Sequence, residues 1–201
     1  MKVLILFAHP AFERSRVHSR LINAAKQQPG VTLRDLYEVY PDFDVHPDTE
    51  QQILQKHDVI IFQHPLYWYS GPALLKQWMD LVLEHGWAYG KEGVALKGKY
   101  MLQVISTGGN EHAYSPEGHH GHPVKQFMLP FEQSAKLCNM EYLSPFVVHG
   151  TNQLTELQLD EYAERYATLL QTLQADRLDL QKARQISELN NLIALPPIIS
   201  K

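Results

Sequence analysis

Short runs of consecutive apolar residues alternate along this chain with stretches whose apolar positions recur every three or four residues. A run such as VLILFA at 3–8 shows water no polar face, so it predicts a strand buried on both sides. The stretches with helical spacing predict the helices that cover such strands. Ser15 can cap the first helix, which should run through Leu21, Ile22, Ala24 and Ala25 to the stop at Pro29-Gly30. A second strand is expected over 31–36, a short helix over 49–55, and a third strand over 58–63 carrying VIIF. A helix over 71–84 and a strand over 98–106 follow, and the Gly108-Gly109 exit opens a polar loop over 110–123. The pattern closes with a helix over 124–137, a strand over 141–148 and a helix from Thr155, with acidic Glu156 behind that cap. Helical spacing continues past Asp176 toward Leu192, until LPPIIS at 195–200 forbids it. Five strand-helix units imply an α/β fold with a parallel sheet and right-handed crossovers. The expected organisation is one domain over 1–176, then a helical extension and tail over 177–201 in contact with a partner subunit.

Composition narrows the function classes. A chain of 201 residues, 44% hydrophobic, can bury one sizeable core. A net charge of −4 without a long run of Lys or Arg leaves no electrostatic footprint for nucleic acid and little attraction to an anionic membrane. The first apolar run stops at His9-Pro10 with no cleavage site behind it, so it is expected to be a strand and not a secretion signal. No stretch approaches the roughly 20 apolar residues of a membrane span. The single Cys138 excludes an internal disulfide, fits a reducing cytoplasm and is expected to be buried.

In a doubly wound sheet ligands bind beyond the carboxyl ends of the strands, which directs attention to the loops at 9–16, 64–71 and 107–123. The first loop contains no glycine, so it is neither a dinucleotide fingerprint nor a P-loop. Its residues Ser15, Arg16, Val17 and His18 instead enter a helix whose free backbone N–H groups favour a phosphate, with Ser15 and His18 as added side-chain donors. A plain helix cap fits the same residues. In the second loop Pro65, Leu66, Tyr67 and Trp68 stand at the end of the central strand, a setting that suits a flat, partly apolar heterocycle. Covering of a hydrophobic corner is the alternative. The third loop offers two glycines, then Tyr114, His119, His120 and His122. A zinc site from His112, His119, His120 and His122 is disfavoured, because adjacent histidines rarely share a tetrahedron and no cysteine or carboxylate pair completes one. No metal is therefore expected.

These motifs together, His9-Pro10 with Ser15, HPLYWYSGPALLKQWMD, HGWAYG, and STGG followed by Tyr114 and GxHG, resemble the NAD(P)H:quinone oxidoreductase family with a flavodoxin-like fold, over residues 1 to about 150. Within it the chain is most similar to the ancillary oxidoreductases of glutathione-regulated potassium efflux systems, a likeness to which DLYEVYPDF contributes. The resemblance implies a three-layer sandwich around a five-stranded sheet of order 2-1-3-4-5. It implies that His9, Ser15, Arg16, Val17 and His18 hold the flavin phosphate and its chain. Pro65, Leu66, Tyr67, Trp68, Ser106, Thr107, Gly108 and Gly109 would frame the flavin ring, and Tyr114 and His120 fall where the family has two polar catalytic side chains. Val17 and His18 depart from the Asn that many relatives carry.

The activity so implied is two-electron hydride transfer from NAD(P)H to a quinone by a ping-pong route, with FMN preferred to FAD. Trp87 and Tyr89 are expected to wall the pocket, from a neighbouring chain in a homodimer. A cytoplasmic location is implied, at the inner face of the membrane where a potassium efflux transporter is the partner. Two other functions stay open: a regulatory subunit of that transporter, and a one-electron carrier of the flavodoxin type.

Overall fold

The computed structural model describes residues 1–193. Six strands form one parallel sheet: β1 (Val3–Phe7), β2 (Val31–Asp35), β3 (Val59–Pro65), β4 (Tyr100–Ser106), β5 (Glu141–Tyr142) and β6 (Phe146–Val148). Their order is β2-β1-β3-β4-β5, and β6 also pairs with β4. The eight α-helices among the described residues are α1 (Arg16–Lys26), α2 (Leu36–Val39), α3 (Pro47–Gln55), α4 (Ala73–Val82), α5 (Val124–Phe127), α6 (Leu129–Leu137), α7 (Glu156–Gln174) and α8 (Leu180–Gln185).

Strand alternation explains the layers. Successive side chains of β1 point to opposite faces. Leu4 and Leu6 join Ile60, Phe62, Leu54, Leu74, Trp78 and Phe131 under α3, α4 and α6. Val3, Ile5 and Phe7 join Leu21, Ile22, Leu169 and Leu173 under α1 and α7. With both faces covered, VLILF is buried at every position. One polar exception sits in the first core: the fully buried Glu50 accepts from Arg34 Nε at 2.6 Å, Tyr40 Oη at 2.6 Å and Trp78 Nε1 at 3.0 Å. A buried carboxylate is tolerated only when its lone pairs are met in this way.

Several boundaries differ from the sequence expectations for identifiable reasons. The expected strand at 141–148 is two short strands, because Pro145 has no N–H for the ladder. The expected helix at 124–137 breaks at Met128, and Pro130 stands in the first turn of the second piece. The helix from Thr155 does not run to Leu192: α7 ends at Gln174, Asp176 adopts φ +53°, and Asp179 caps the separate α8. The Thr155 cap is a full capping box with Gln158.

The chain after α8 returns along the outer side of β6. Leu189 N–H donates to Pro145 O at 2.8 Å. The Asn190 side chain takes both Val147 backbone groups, each at 2.8 Å. Lys125 Nζ clamps the end of α8 by donating to Arg184 O and Ile186 O at 2.9 and 2.8 Å. Glu188 meets His149 Nε2 at 2.8 Å. The expected arm at 195–200 lies outside the described residues.

Candidate active site

Four loops converge beyond the carboxyl ends of the strands, one more than the sequence suggested. They enclose a cleft of about 480 Å³ lined by His9, Ser15, Arg16, Val17, Pro65, Leu66, Tyr67, Ser106 and Gly108. Ala11, Arg14, Thr151 and Asn152, which the sequence reasoning missed, also line it. Thr151 and Asn152 follow β6, so the general rule about strand ends could have found them. A neighbouring cavity of about 200 Å³ lies among Leu66, Trp68, Tyr69, Tyr114 and His120, and Leu66 borders both spaces.

The first loop supplies donors. Ser15 caps α1 by accepting from His18 N–H at 3.2 Å. The amides of Arg16 and Val17 precede the first residue that can bond within the helix, and among the described residues no carbonyl takes them. They remain available to an anion at the positive end of the helix dipole. His9 Nδ1 accepts from Ala11 N–H at 3.1 Å, so the neutral ring carries its proton on Nε2. Burial lowers the His9 pKa, with Glu13 opposing, which favours that neutral form.

Two residues in this loop are placed otherwise than a phosphate ligand needs. The Arg16 guanidinium turns to Glu156 Oε1 at 2.6 Å and to Leu154 O at 3.1 Å, so Arg16 offers the cleft only its backbone. The His18 ring faces inward, fully buried, against Ser106 Oγ at 2.9 Å. Burial, reinforced by His9 and His64, holds it well below the usual histidine pKa. Arg14 is the cation at the cleft: its side chain is 85% exposed and stands only 3.6 Å from Glu13.

The second loop is a tight turn in which Tyr67 and Ser70 exchange both backbone hydrogen bonds, at 3.1 and 2.9 Å. Its central residues are Trp68 at φ +51° and Tyr69 at φ +60°. Both lie in the left-handed region, where a two-residue turn normally places Asn or Gly. Holding bulky aromatics there costs on the order of 1 kcal/mol each. The Trp68 indole points outward, 94% exposed at the rim of the site. No turn signal in the sequence marks this, because Trp-Tyr carries none.

The third loop folds Tyr114 and His120 onto Gly109. A Cβ on Gly109 would lie 3.1 Å from Tyr114 Cε2 and 3.5 Å from His120 Nε2, so the pair sits directly on that backbone. Tyr69 Oη lies 3.4 Å from His120 Nδ1. Burial raises the Tyr114 pKa, which keeps its phenol protonated and able to donate. Thr107 does not line the cleft; its Oγ1 braces the loop by donating to Gly109 O at 2.8 Å. Neither Trp87 nor Tyr89 lines either space within this chain. His112 and His119 belong to no metal-holding cluster, and among the described residues no group of three His, Cys, Asp or Glu could hold an ion.

A flavin mononucleotide fits these donors. The free amides of Arg16 and Val17, with His9 Nε2–H and Arg14 beside them, match a phosphate at one end. Gly108, where an added Cβ would meet nothing within 4 Å, leaves bare backbone in the middle, and aromatics border the other end.

An open parallel sheet of this order with its cleft at the strand ends defines an α/β protein of the flavodoxin-like class. The chain belongs to the family described as having a flavodoxin-like fold, which matches residues 1–170. It is 44% identical over 169 residues to the glutathione-regulated potassium-efflux system ancillary protein KefG of Pectobacterium carotovorum, covering 84% of this chain and 92% of that one. General stress protein 14 of Treponema denticola, solved in complex with FMN, superposes with a TM-score of 0.82 at 38% identity, covering 86% and 99% of the two chains. An NADPH-quinone reductase from P. pentosaceus superposes with a TM-score of 0.77 at 35% identity, covering 84% and 97%.

Proposed function

We propose that the protein is an FMN-dependent NAD(P)H:quinone oxidoreductase. The observation that carries this reading is two adjoining spaces that share Leu66, with unpartnered amides at the start of α1 in one and the Tyr114–His120 pair in the other. FMN, when bound, supplies the hydride acceptor and donor. The amides of Arg16 and Val17 and the Nε2–H of His9 hold the phosphate. Pro65, Leu66 and Tyr67 wall the ring, with the Gly108-Gly109 backbone beside it. Tyr114 and His120 donate hydrogen bonds to the oxygen on which negative charge grows, a contribution typically of several kcal/mol in such sites.

In this reading NAD(P)H and quinone use the same space beside Tyr114 and His120 in turn, because the cavity of about 200 Å³ there is small for both together. Identity to an NADPH-quinone reductase and to an FMN complex supports the cofactor and substrate class. The test is direct: purified protein should retain FMN whose absorbance bleaches with NADPH and recovers on adding a quinone. Protein that binds no flavin, or whose flavin NADPH leaves oxidised, would sink the reading.

A second role is favoured by the 44% identity to KefG: regulation of a potassium efflux transporter from the inner face of the membrane. Among the described residues no helix is long and apolar enough to cross a membrane, so such a role means docking on the transporter. A homodimer is part of the same proposal, with the exposed Tyr67, Trp68 and Tyr69 as the surface a second copy covers. Transporter activation by protein lacking both Tyr114 and His120 side chains separates the regulatory role from the redox one.

A further inference from the structure

Behind the cleft, four buried polar side chains from four different elements form one hydrogen-bonded chain. Tyr166 Oη of α7 lies 2.9 Å from Gln63 Oε1 of β3. Gln63 Nε2 lies 3.3 Å from His18 Nδ1 of α1, and His18 Nε2 lies 2.9 Å from Ser106 Oγ of β4. Tyr166, Gln63 and His18 are 0% exposed, and Ser106, at 7%, is the one member that lines the cleft.

The direction of this chain follows from counting protons. A buried phenol must place its single proton, and among the described residues Gln63 is the only acceptor in reach of Tyr166. Gln63 therefore turns its carbonyl to Tyr166 and its N–H to the ring of His18. A ring that accepts at Nδ1 and is neutral carries its proton on Nε2. Burial beside His9 and His64 keeps the ring neutral. His18 Nε2–H then donates to Ser106 Oγ, and the hydroxyl, having accepted, keeps its own proton.

We propose that Tyr166, Gln63 and His18 are positioning residues that hold the Ser106 hydroxyl as a hydrogen-bond donor to the ligand in the cleft. Reversed, the same atoms would make Ser106 spend its proton on His18 and present only lone pairs. This polarity leaves the Ser106 proton free for a ligand acceptor oxygen or nitrogen at that point. That the ligand in question is FMN rests on the reading above.

Nitrogen-15 NMR of the ligand-free protein reads the polarity without any cofactor. The His18 ring is expected with its proton on Nε2 and Nδ1 bare, and the opposite tautomer overturns the proposal. Tyr166→Phe removes the proton that fixes the Gln63 amide, far from the cleft. It is expected to mix the His18 tautomers and to weaken FMN binding by about three- to tenfold, the range of one hydrogen bond. Ser106→Ala should lose a similar amount, and Tyr166→Phe combined with Ser106→Ala should bind no worse than Ser106→Ala alone. Additive losses would mean that Tyr166 acts through general stability, and would overturn the proposal. Wild-type protein that shows the Nε2–H tautomer but binds no FMN would support the donor chain and remove the flavin reading.

Discussion

The rings of Tyr114 and His120 lie stacked, their centroids 4.2 Å apart and their planes 24° from parallel. Stacking fixes both rings through van der Waals contact, so either polar group can be removed without displacing the other. Tyr114→Phe should therefore retain FMN and its reduction by NADPH while the quinone step slows about 10- to 100-fold. Stopped-flow measurement of the two half-reactions checks this, and an unchanged quinone step removes Tyr114 from the proposed role.

Gly118 holds the same loop from the far side. A Cβ there would stand 2.0 Å from the carbonyl oxygen of His112, far inside contact, so Gly118→Ala must open the turn. The loss should be mostly local, since Tyr114 only packs against the edge of the first core and none of the buried core residues lies in this loop. The expected result is impaired quinone reduction with a melting temperature within a few degrees of wild type, read by activity and circular dichroism side by side.

The Arg34–Glu50 pair makes the opposite kind of prediction, large in stability and remote from the cleft. Arg34→Met leaves a fully buried carboxylate with only Tyr40 and Trp78 as donors, and should cost about 3–5 kcal/mol. Adding Glu50→Leu removes the stranded charge and should recover most of that loss. Urea denaturation of the single and double variants measures both steps.

How much of this was legible in the sequence varies with the physics. Runs such as VLILF and VIIF announced the buried strands because a fully apolar segment has few other places to go. Ser15 and Thr155 announced helix starts because a hydroxyl at that position has one strong use. The loops with Tyr114, His120 and Gly108 stood out by composition. What the sequence hid was direction: that Arg16 points to Glu156, that His18 turns inward, and that Trp68 and Tyr69 adopt left-handed backbone. Each depends on a partner from a distant element or on strain that the surrounding fold imposes. Thr151 and Asn152 were hidden because their loop carries no unusual residue.

A pH dependence follows from His64. The buried ring donates Nδ1–H to Pro65 O at 2.9 Å, and its Nε2 has no partner. Protonating Nε2 would leave a charged N–H among apolar neighbours, so burial lowers the pKa from 6.5 to about 4. The unfolded chain takes up a proton near 6.5 and the folded one near 4, so between those values the unfolded state binds more protons. The stability is fully present above pH 6.5 and is lost as pH falls toward 4, by up to about 3 kcal/mol. His18, also lowered, adds a loss of the same sign. Urea midpoints at pH 7 and 4.5 should fall in wild type and fall less in His64→Gln; equal falls would discard the assignment.

The side-chain amide of Asn190 does for Val147 what another strand would do, meeting its N–H and its carbonyl at once. A sheet that ends in three bare residues is a template on which a stranger can zip. By closing that margin with its own chain, the segment behind α8 leaves Val147 no backbone group to offer a strand from another copy.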